Sequence, residues 1–301
     1  MIDAKEGLFY GKSEKGFGKR QMKNWENVRL VREFSDQGVD CYKLAGGDYV
    51  NEYYVVSEAE TRKLMNTPEV VGYEVYHCLI PATSQMLYYF KEQKKVTTAN
   101  ILSILRGALN YPLEESCYRE HIRVHDISFL SSERVFQEDE IAGLEIKYSK
   151  LTMVPDSTLM IGDIIASGET LIHCLRYVTD FYRAHGAKLR NIIIFTIGGT
   201  KGIEILEKLT SEIREYWPDF EGFITVYYES SAPIRTRAYP GSIFRTWIST
   251  GKTASSHRSF EEKPFPCGIL CLRNALSTMA APEDMRSMSM WRRFWTSGRA
   301  C

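Results

Sequence analysis

The 301-residue chain lacks several features that would assign a protein to a class at once. No apolar run approaches the roughly 20 residues needed to cross a bilayer, so we expect no membrane association. Lys and Arg together number 38, as do Asp and Glu, so no net charge draws the whole chain to nucleic acid or acidic lipid. Residues 1–20 are rich in Lys, Glu and Gly and lack the apolar core of a secretory signal.

The cysteines form neither a disulfide framework nor a zinc-binding pattern. There are seven, an odd and scattered set, which favours a reducing, cytoplasmic location. Cys267 and Cys271 lie four apart, but no second Cys or His pair follows at a zinc-like spacing. We therefore interpret these two as ordinary buried thiols and predict no residue that binds a metal ion directly.

The sequence divides into three regions: a mixed accessory region over 1–95, a core over 96–248 and a divergent tail over 249–301. In the first region a helix is predicted over 58–65, capped by Ser57, and another over 72–91 that Pro81 kinks or divides. The tail begins polar and ends rich in Met, Arg and Trp. It and the accessory region are candidate docking segments for a macromolecular partner.

The core has the rhythm of an α/β protein. Short apolar or alternating segments are followed by amphipathic ones, which is typical of right-handed βαβ units and a parallel sheet flanked by helices. Ligands of such sheets bind at the carboxyl ends of the strands. Strands are predicted over 100–105, 121–130, 145–151, 158–165, 191–197 and 223–228, helices over 170–184 and 201–216, and a long exposed loop over 131–145.

One segment, STLMIGDIIASGETL over Ser157 to Leu171, combines a buried strand, a turn and a helix start. Backbone N–H groups of the turn Ala166-Ser167-Gly168-Glu169-Thr170 would converge with those of the first helical turn, where the helix dipole favours an anion. Ser167 and Thr170 add hydroxyl donors. The sequence therefore predicts a phosphate site here, with the Glu169 side chain in water. The alternative is an ordinary turn in which Thr170 caps the helix.

Taken whole, this segment resembles the phosphoribosyl-pyrophosphate signature of type I phosphoribosyltransferases: a hydrophobic strand, an acidic pair, apolar residues, a small residue, Thr or Ser, Gly, any residue, and Thr or Ser. The resemblance implies that fold, a ribose 5-phosphate in the turn, and ribose hydroxyls held by the acidic pair. Here the pair is Gly162-Asp163, so the implied ribose contact falls to Asp163 alone.

Three further segments resemble the uracil phosphoribosyltransferases in particular. Residues 104–109, ILRGAL, resemble a segment that binds pyrophosphate, which implies that role for Arg106 and Gly107. Residues 146–151, IKYSKL, resemble a strand ending in Lys-Leu that precedes the signature. Residues 198–204, GGTKGIE, look like a segment near the base, which implicates Gly199. After Tyr239-Pro240-Gly241, however, the residues that read the pyrimidine are absent.

The resemblance implies transfer of phosphoribose from phosphoribosyl pyrophosphate to a base or other nucleophile. Asp163, Arg106 and Arg134 are the implied catalytic residues, with Arg134 in the predicted loop and Lys150 beside the diphosphate. Mg²⁺ would be bound through the diphosphate, and a homodimer or larger assembly is expected. For Arg134 and Lys150 a solvated side chain is an equal alternative.

Two other functions stay open from the sequence. Gly162 and the altered segment after Gly241 also suit a non-catalytic regulator that senses a phosphoribosyl ligand or nucleotide. They suit equally an effector or toxin component that acts with a macromolecular partner. His121 and His125 lie in a strand-like run and are interpreted as structural, and the sequence around Gly251-Lys252-Thr253 lacks the first glycine of a P-loop.

Overall fold

The computed structural model of the protein describes residues 28–67, 70–105, 111–137, 140–165, 168–198 and 201–229. The tail over 249–301, Cys267, Cys271, the segment at 239–241 and the first 27 residues lie outside them. The strands are β1 (Arg29–Asp36), β2 (Val39–Ala45), β3 (Glu52–Ser57), β4 (Thr98–Leu105), β5 (Arg123–Gln137), β6 (Glu140–Lys150), β7 (Ser157–Ile165), β8 (Leu189–Gly198) and β9 (Gly222–Tyr228). The helices are α1 (Ala59–Asn66), α2 (Tyr73–Lys94), α3 (Tyr111–Arg119), α4 (Glu169–Ala184) and α5 (Lys201–Arg214).

The strands form one nine-stranded sheet in the order β1-β2-β3-β9-β8-β7-β4-β5-β6. The six strands from β3 to β5 run parallel, whereas β1, β2 and β6 pair antiparallel at the two edges. The predicted parallel sheet flanked by helices is therefore confirmed. Helices α1, α2 and α3 pack on one face and α4 and α5 on the other, with an apolar core beneath each layer.

The central strands are continuous apolar runs because both of their faces are covered. In β8 only Arg190 is exposed, and all seven residues of β9 are buried. The helices pack with one face only: α4 buries Leu171, Leu175 and Val178 at helical spacing. Among the described residues, no helix is both long and apolar enough to span a membrane.

The accessory region joins the same sheet as the core. Strand β3 pairs in parallel with β9, so the sheet continues across residue 95; the domain boundary there stays a prediction. At one end of this pairing, Asn51 Oδ1 accepts hydrogen bonds of 2.8 Å from the Phe223 N–H and from the Thr210 hydroxyl of α5. At the other end, the buried carboxylate of Glu229 accepts from Ser57 Oγ at 2.8 Å and from the Glu58 N–H at 2.9 Å.

The predicted cap of the first helix was wrong, and one of the two effects expected of Pro81, a division of the second helix, does not occur. Glu58, not Ser57, is the N-cap of α1, because its longer side chain reaches back to the backbone N–H groups of Glu60 and Thr61. Pro81 does not divide the second helix, which is continuous from Tyr73 to Lys94. Proline costs a helix interior about 3 kcal/mol, and burial of the apolar face of α2 on the sheet offsets that cost.

The loop predicted over 131–145 is instead a two-stranded antiparallel ribbon. Strands β5 and β6 stay paired from Phe129 with Lys150 to Gln137 with Glu140. The backbone N–H and C=O groups of each strand are hydrogen-bonded by the other strand, so the polar, acidic composition does not prevent strand formation. Arg134 therefore lies in a strand, paired with Leu144, and not in a loop.

Truncation of Asn51 should reveal how far the accessory region stabilises the core. Asn51→Ala removes the acceptor from the buried Phe223 N–H, whereas the Thr210 hydroxyl keeps the Leu206 carbonyl as an acceptor, so we expect a loss of about 1–3 kcal/mol in the free energy of unfolding. Urea denaturation followed by circular dichroism measures it. The control is Arg176→Ala, which removes a partly exposed ion pair to Glu212 and should cost less than about 1 kcal/mol. Equal losses in the two variants would contradict the prediction.

Candidate functional site

The strand order creates a crevice at the carboxyl ends of β4 and β7. In chain order the parallel strands of the core are β4, β5, β7, β8 and β9, but in space they lie as β5-β4-β7-β8-β9. The chain therefore leaves β4 toward one edge and continues from β7 toward the other. Connections that diverge in this way leave an open groove between neighbouring strand ends, where α/β sheets bind their ligands.

The two predicted phosphate-binding turns begin at this crevice. Leu102 of β4 is in register with Ile161 of β7, so Leu105 and Ile165, the last residues of the two strands, end within one residue of each other. Arg106 and Gly107 follow the first strand, and Ala166 and Ser167 follow the second. These four residues and Gly199 lie outside the described residues, so their roles stay predictions.

The second turn leads into α4 through a glycine in the left-handed conformation. Gly168 is the N-cap of α4, with φ of 79° and no side-chain hydrogen bond to the cap. Gly168 and not Thr170 is therefore the cap, whereas the positive φ of Gly168 agrees with the alternative of an ordinary turn as well. The helix extends for 16 residues, so its dipole places partial positive charge at this turn. The Glu169 side chain is exposed, in agreement with the expectation that it faces water.

Glycines also let the ends of β7 and β8 and the starts of α4 and α5 pack closely against each other. A Cβ at Gly198 would lie 2.5 Å from the Ile165 carbonyl oxygen, and one at Gly202 would lie 3.1 Å from Ile165 Cγ2. A Cβ at Gly168 would lie 2.9 Å from Ile205 Cδ1 of α5. The N-termini of α4 and α5 are consequently adjacent and open toward the same edge of the sheet.

Asp163 is a half-buried carboxyl group near the end of β7. Its removal from water raises the pKa to about 7, although the Ile164 N–H, which donates to Oδ1 at 2.8 Å, opposes the shift. Gly162, which takes the place of the other acidic residue of the signature, is buried. The site thus offers one carboxyl group whose charge changes near neutral pH.

Asp163 belongs to a row of polar residues that the sequence analysis missed. Asp163 pairs with Thr196 of β8, and Thr196 pairs with Tyr227 of β9. Strand alternation places all three on the face covered by α4 and α5. Thr196 Oγ1 accepts from the Ile165 N–H at 3.2 Å, whereas the Tyr227 hydroxyl has no hydrogen-bond partner among the described residues. A polar residue within an apolar strand was the only available signal.

The remaining candidates lie on the far side of β4. Leu105 is in register with Ser131 of β5, so the ribbon beyond Ser131, with Arg134 in it, extends past the end of β4. Lys150 is exposed and ends the edge strand β6, opposite Phe129. Two strand spacings, about 10 Å, separate its backbone from β4, so the fold does not bring Lys150 to the crevice directly.

No protein-family model and no curated protein sequence matches the chain. Among solved structures, it is similar to a hypoxanthine phosphoribosyltransferase from Staphylococcus aureus, with 13% identity, a TM-score of 0.32, and coverage of 52% of this chain and 80% of that chain. The L. donovani hypoxanthine-guanine enzyme has 11% identity and a TM-score of 0.36, with coverage of 55% of this chain and 80% of that chain. The Helicobacter pylori xanthine-guanine-hypoxanthine enzyme has 13% identity and a TM-score of 0.35, with coverage of 53% of this chain and 86% of that chain.

TM-scores in this range do not establish a common fold, so the α/β assignment rests on the strand order of this chain. All three enzymes are named for purine bases. A resemblance to the uracil enzymes in particular stays an expectation from the motifs.

The pKa of Asp163 should make stability depend on pH. Between its ordinary value of 3.8 and about 7, the folded protein holds a proton that the unfolded chain has lost, so stability falls as pH rises through this window. We expect the free energy of unfolding of Asp163→Asn, relative to that of wild type, to rise by at least about 1 kcal/mol from pH 4 to pH 8. Urea unfolding at the two pH values measures this.

The matched control is Asp156→Asn, an exposed aspartate paired with Arg190, which should show no such gain. An equal rise in both variants, or no rise in either, would contradict the prediction that Asp163 holds a proton in the folded protein.

Proposed function

We propose that the protein binds phosphoribosyl pyrophosphate at the crevice between β4 and β7 and transfers phosphoribose to a base or other nucleophile, with release of pyrophosphate. One observation supports this above all: the two turns whose sequences predict phosphate and diphosphate binding follow neighbouring strands at the point where the strand order reverses. A sugar that carries a phosphate at one end and a diphosphate at the other would span such a pair of turns.

Each part of the ligand has a proposed partner. The 5-phosphate sits at the N-terminus of α4, held by backbone N–H groups and the hydroxyls of Ser167 and Thr170. The ribose hydroxyls face Asp163, and the diphosphate lies beside Arg106 and Gly107. The ribbon that carries Arg134 lies next to that diphosphate.

Mg²⁺ fits this arrangement as an ion brought by the ligand. No group of three or more His, Cys, Asp or Glu residues placed to hold a metal ion occurs among the described residues, and Asp163 is a single carboxyl group. Mg²⁺ commonly binds through substrate phosphates with only one or two protein carboxylates. When bound, it would neutralise charge on the diphosphate.

The chemistry requires positioning and charge stabilisation. The lone pair of the acceptor forms a bond to ribose C1 as the bond from C1 to the diphosphate oxygen breaks, and the electron pair leaves with pyrophosphate. The acceptor proton passes to solvent or to a nearby base. Donors fixed before the reaction stabilise the leaving group without reorganisation, and a rigid site holds both reactants in line.

A second candidate function is ligand sensing without turnover. The buried Gly162 favours it, because the site then has a single carboxyl group for the ribose, and that group is half neutral near pH 7. The loss of one of the two carboxyl groups would weaken ligand binding less than it would weaken catalysis. Pyrophosphate release, measured with a panel of bases, separates the two functions.

Gly168→Val tests the phosphate site. Valine adopts a positive φ only with strain, and its Cβ would displace the terminal methyl group of Ile205. We therefore expect the affinity for ribose 5-phosphate to fall at least about tenfold, which corresponds to the loss of one charge-assisted hydrogen bond. Calorimetric titration measures it. The control is Gly143→Val, since a Cβ at Gly143 meets no atom within 4 Å. Unchanged affinity in a folded Gly168→Val protein would refute the site.

Uracil should be a poor acceptor. The segment after Gly241 lacks the acidic and basic residues that read the pyrimidine, and a site without matching polar groups loses several powers of ten in specificity. A steady-state assay with uracil, phosphoribosyl pyrophosphate and Mg²⁺ tests this. A kcat/KM of roughly 10⁴ M⁻¹s⁻¹ or above would show the prediction to be wrong. Tight ligand binding without product from any common base would favour the sensor.

A further inference from the structure

We infer that the first turn of α5 is a second oxyanion subsite, served by the hydroxyl of Tyr227, and that it takes an anionic group next to the bound ribose phosphate. The inference rests on the proposed function for the identity of the neighbouring ligand. Its own evidence is the geometry around α5.

The first turn of α5 has the properties of an anion site. The helix has 14 residues, and its N-terminal N–H groups, including those of Gly202 and Ile203, have no carbonyl partner within the helix. The contacts of Ile165 with Gly198 and Gly202 place this turn beside the N-terminus of α4.

The second observation is the Tyr227 hydroxyl. Tyr227 is 1% exposed and its hydroxyl has no partner among the described residues. The hydroxyl is directed at the first turn of α5, because a Cβ on Gly202 would lie 3.3 Å from its oxygen. It is therefore a donor without an acceptor, aimed at the helix turn that favours an anion.

Two other buried tyrosines near Tyr227 have hydroxyls with hydrogen-bond partners. The Tyr53 hydroxyl, on the same face of the sheet, donates to Glu207 at 2.7 Å. The Tyr228 hydroxyl, on the opposite face, bonds to Thr83 Oγ1 at 2.6 Å. A buried hydroxyl without a partner destabilises a protein, and phenylalanine would fill the same space without that cost. The hydroxyl of Tyr227 is explained if a ligand oxygen accepts from it.

The position of the subsite limits the ligand. Strand β8 lies on the opposite side of β7 from β4, so the subsite and the proposed diphosphate turn flank the 5-phosphate site. Two anionic groups fit: the carboxylate of an acidic acceptor that approaches C1 away from the leaving diphosphate, or a second phosphate on the phosphoribosyl ligand itself. The shared requirement is an oxyanion, and a neutral base does not meet it.

Calorimetry with inorganic phosphate tests the subsite. Protein saturated with both ribose 5-phosphate and pyrophosphate, which fill the two sites of the proposed function, should still bind one inorganic phosphate. Tyr227→Phe should weaken the binding of that phosphate at least about tenfold while leaving the affinity for ribose 5-phosphate unchanged. Tyr228→Phe, the matched control, should bind phosphate like wild type. In thermal melts without ligand, Tyr227→Phe should be at least as stable as wild type, whereas Tyr228→Phe should be less stable.

The outcomes separate the subsite from the proposed function. No phosphate binding to the saturated wild type, or equal phosphate affinity in Tyr227→Phe, overturns the subsite. If ribose 5-phosphate does not bind at all, the proposed function fails, and the effect of Tyr227→Phe on phosphate binding alone still decides the subsite. Benzoate binding that needs Tyr227 supports an acidic acceptor. Tighter binding of ribose 5-diphosphate than of ribose 5-phosphate, dependent on Tyr227, supports a second phosphate on the ligand. If neither effect is observed, both proposed sources of the oxyanion are wrong.

Discussion

The candidate site depends on one close packing contact, between the ends of β7 and β8. The Ile165 carbonyl oxygen lies so near Gly198 that any side chain there would overlap it, and the Ile165 side chain leaves little room for a Cβ on Gly202. Residues larger than glycine at these positions would push the two strand ends and the start of α5 apart. Two helices of 16 and 14 residues therefore begin side by side, and their partial charges add over one small area of the sheet edge.

This electrostatic setting explains the behaviour of the groups around it. An ionised carboxylate next to a phosphate would repel it, but burial keeps Asp163 partly protonated near neutral pH, and a protonated carboxyl group can donate a hydrogen bond. The hydroxyls of Thr196 and Tyr227 continue the row away from β4. The site thus relies on helix dipoles, hydroxyls and a carboxyl group that gains its proton easily.

The sequence alone predicts those elements whose apolar residues form a continuous run or a regular stripe along the chain. The apolar runs of β7, β8 and β9, the stripe of α4 and the glycines of the turn after β7 are visible as such in the chain. Strand pairings that depend on tertiary context could not be predicted from the sequence. The sequence of β5 and β6 is polar and acidic, and each of these strands is held by its pairing with the other. Helix α3 was missed because it has few core apolar residues, Leu113 and Cys117, from which a helical period could be recognised. Thr196 and Tyr227 became neighbours of Asp163 only through strand register.

The place of β9 in the sheet affects how the chain can assemble. This strand comes last among the described elements, yet it lies between β3 and β8 and is fixed to the accessory region at both ends, with Glu229 bonded to Ser57 across 172 residues of sequence. A ribosome must therefore release almost the whole core before β3 meets its partner. Until then β3 has no parallel partner, and an unpaired strand edge is the kind of surface on which nascent chains aggregate or recruit chaperones.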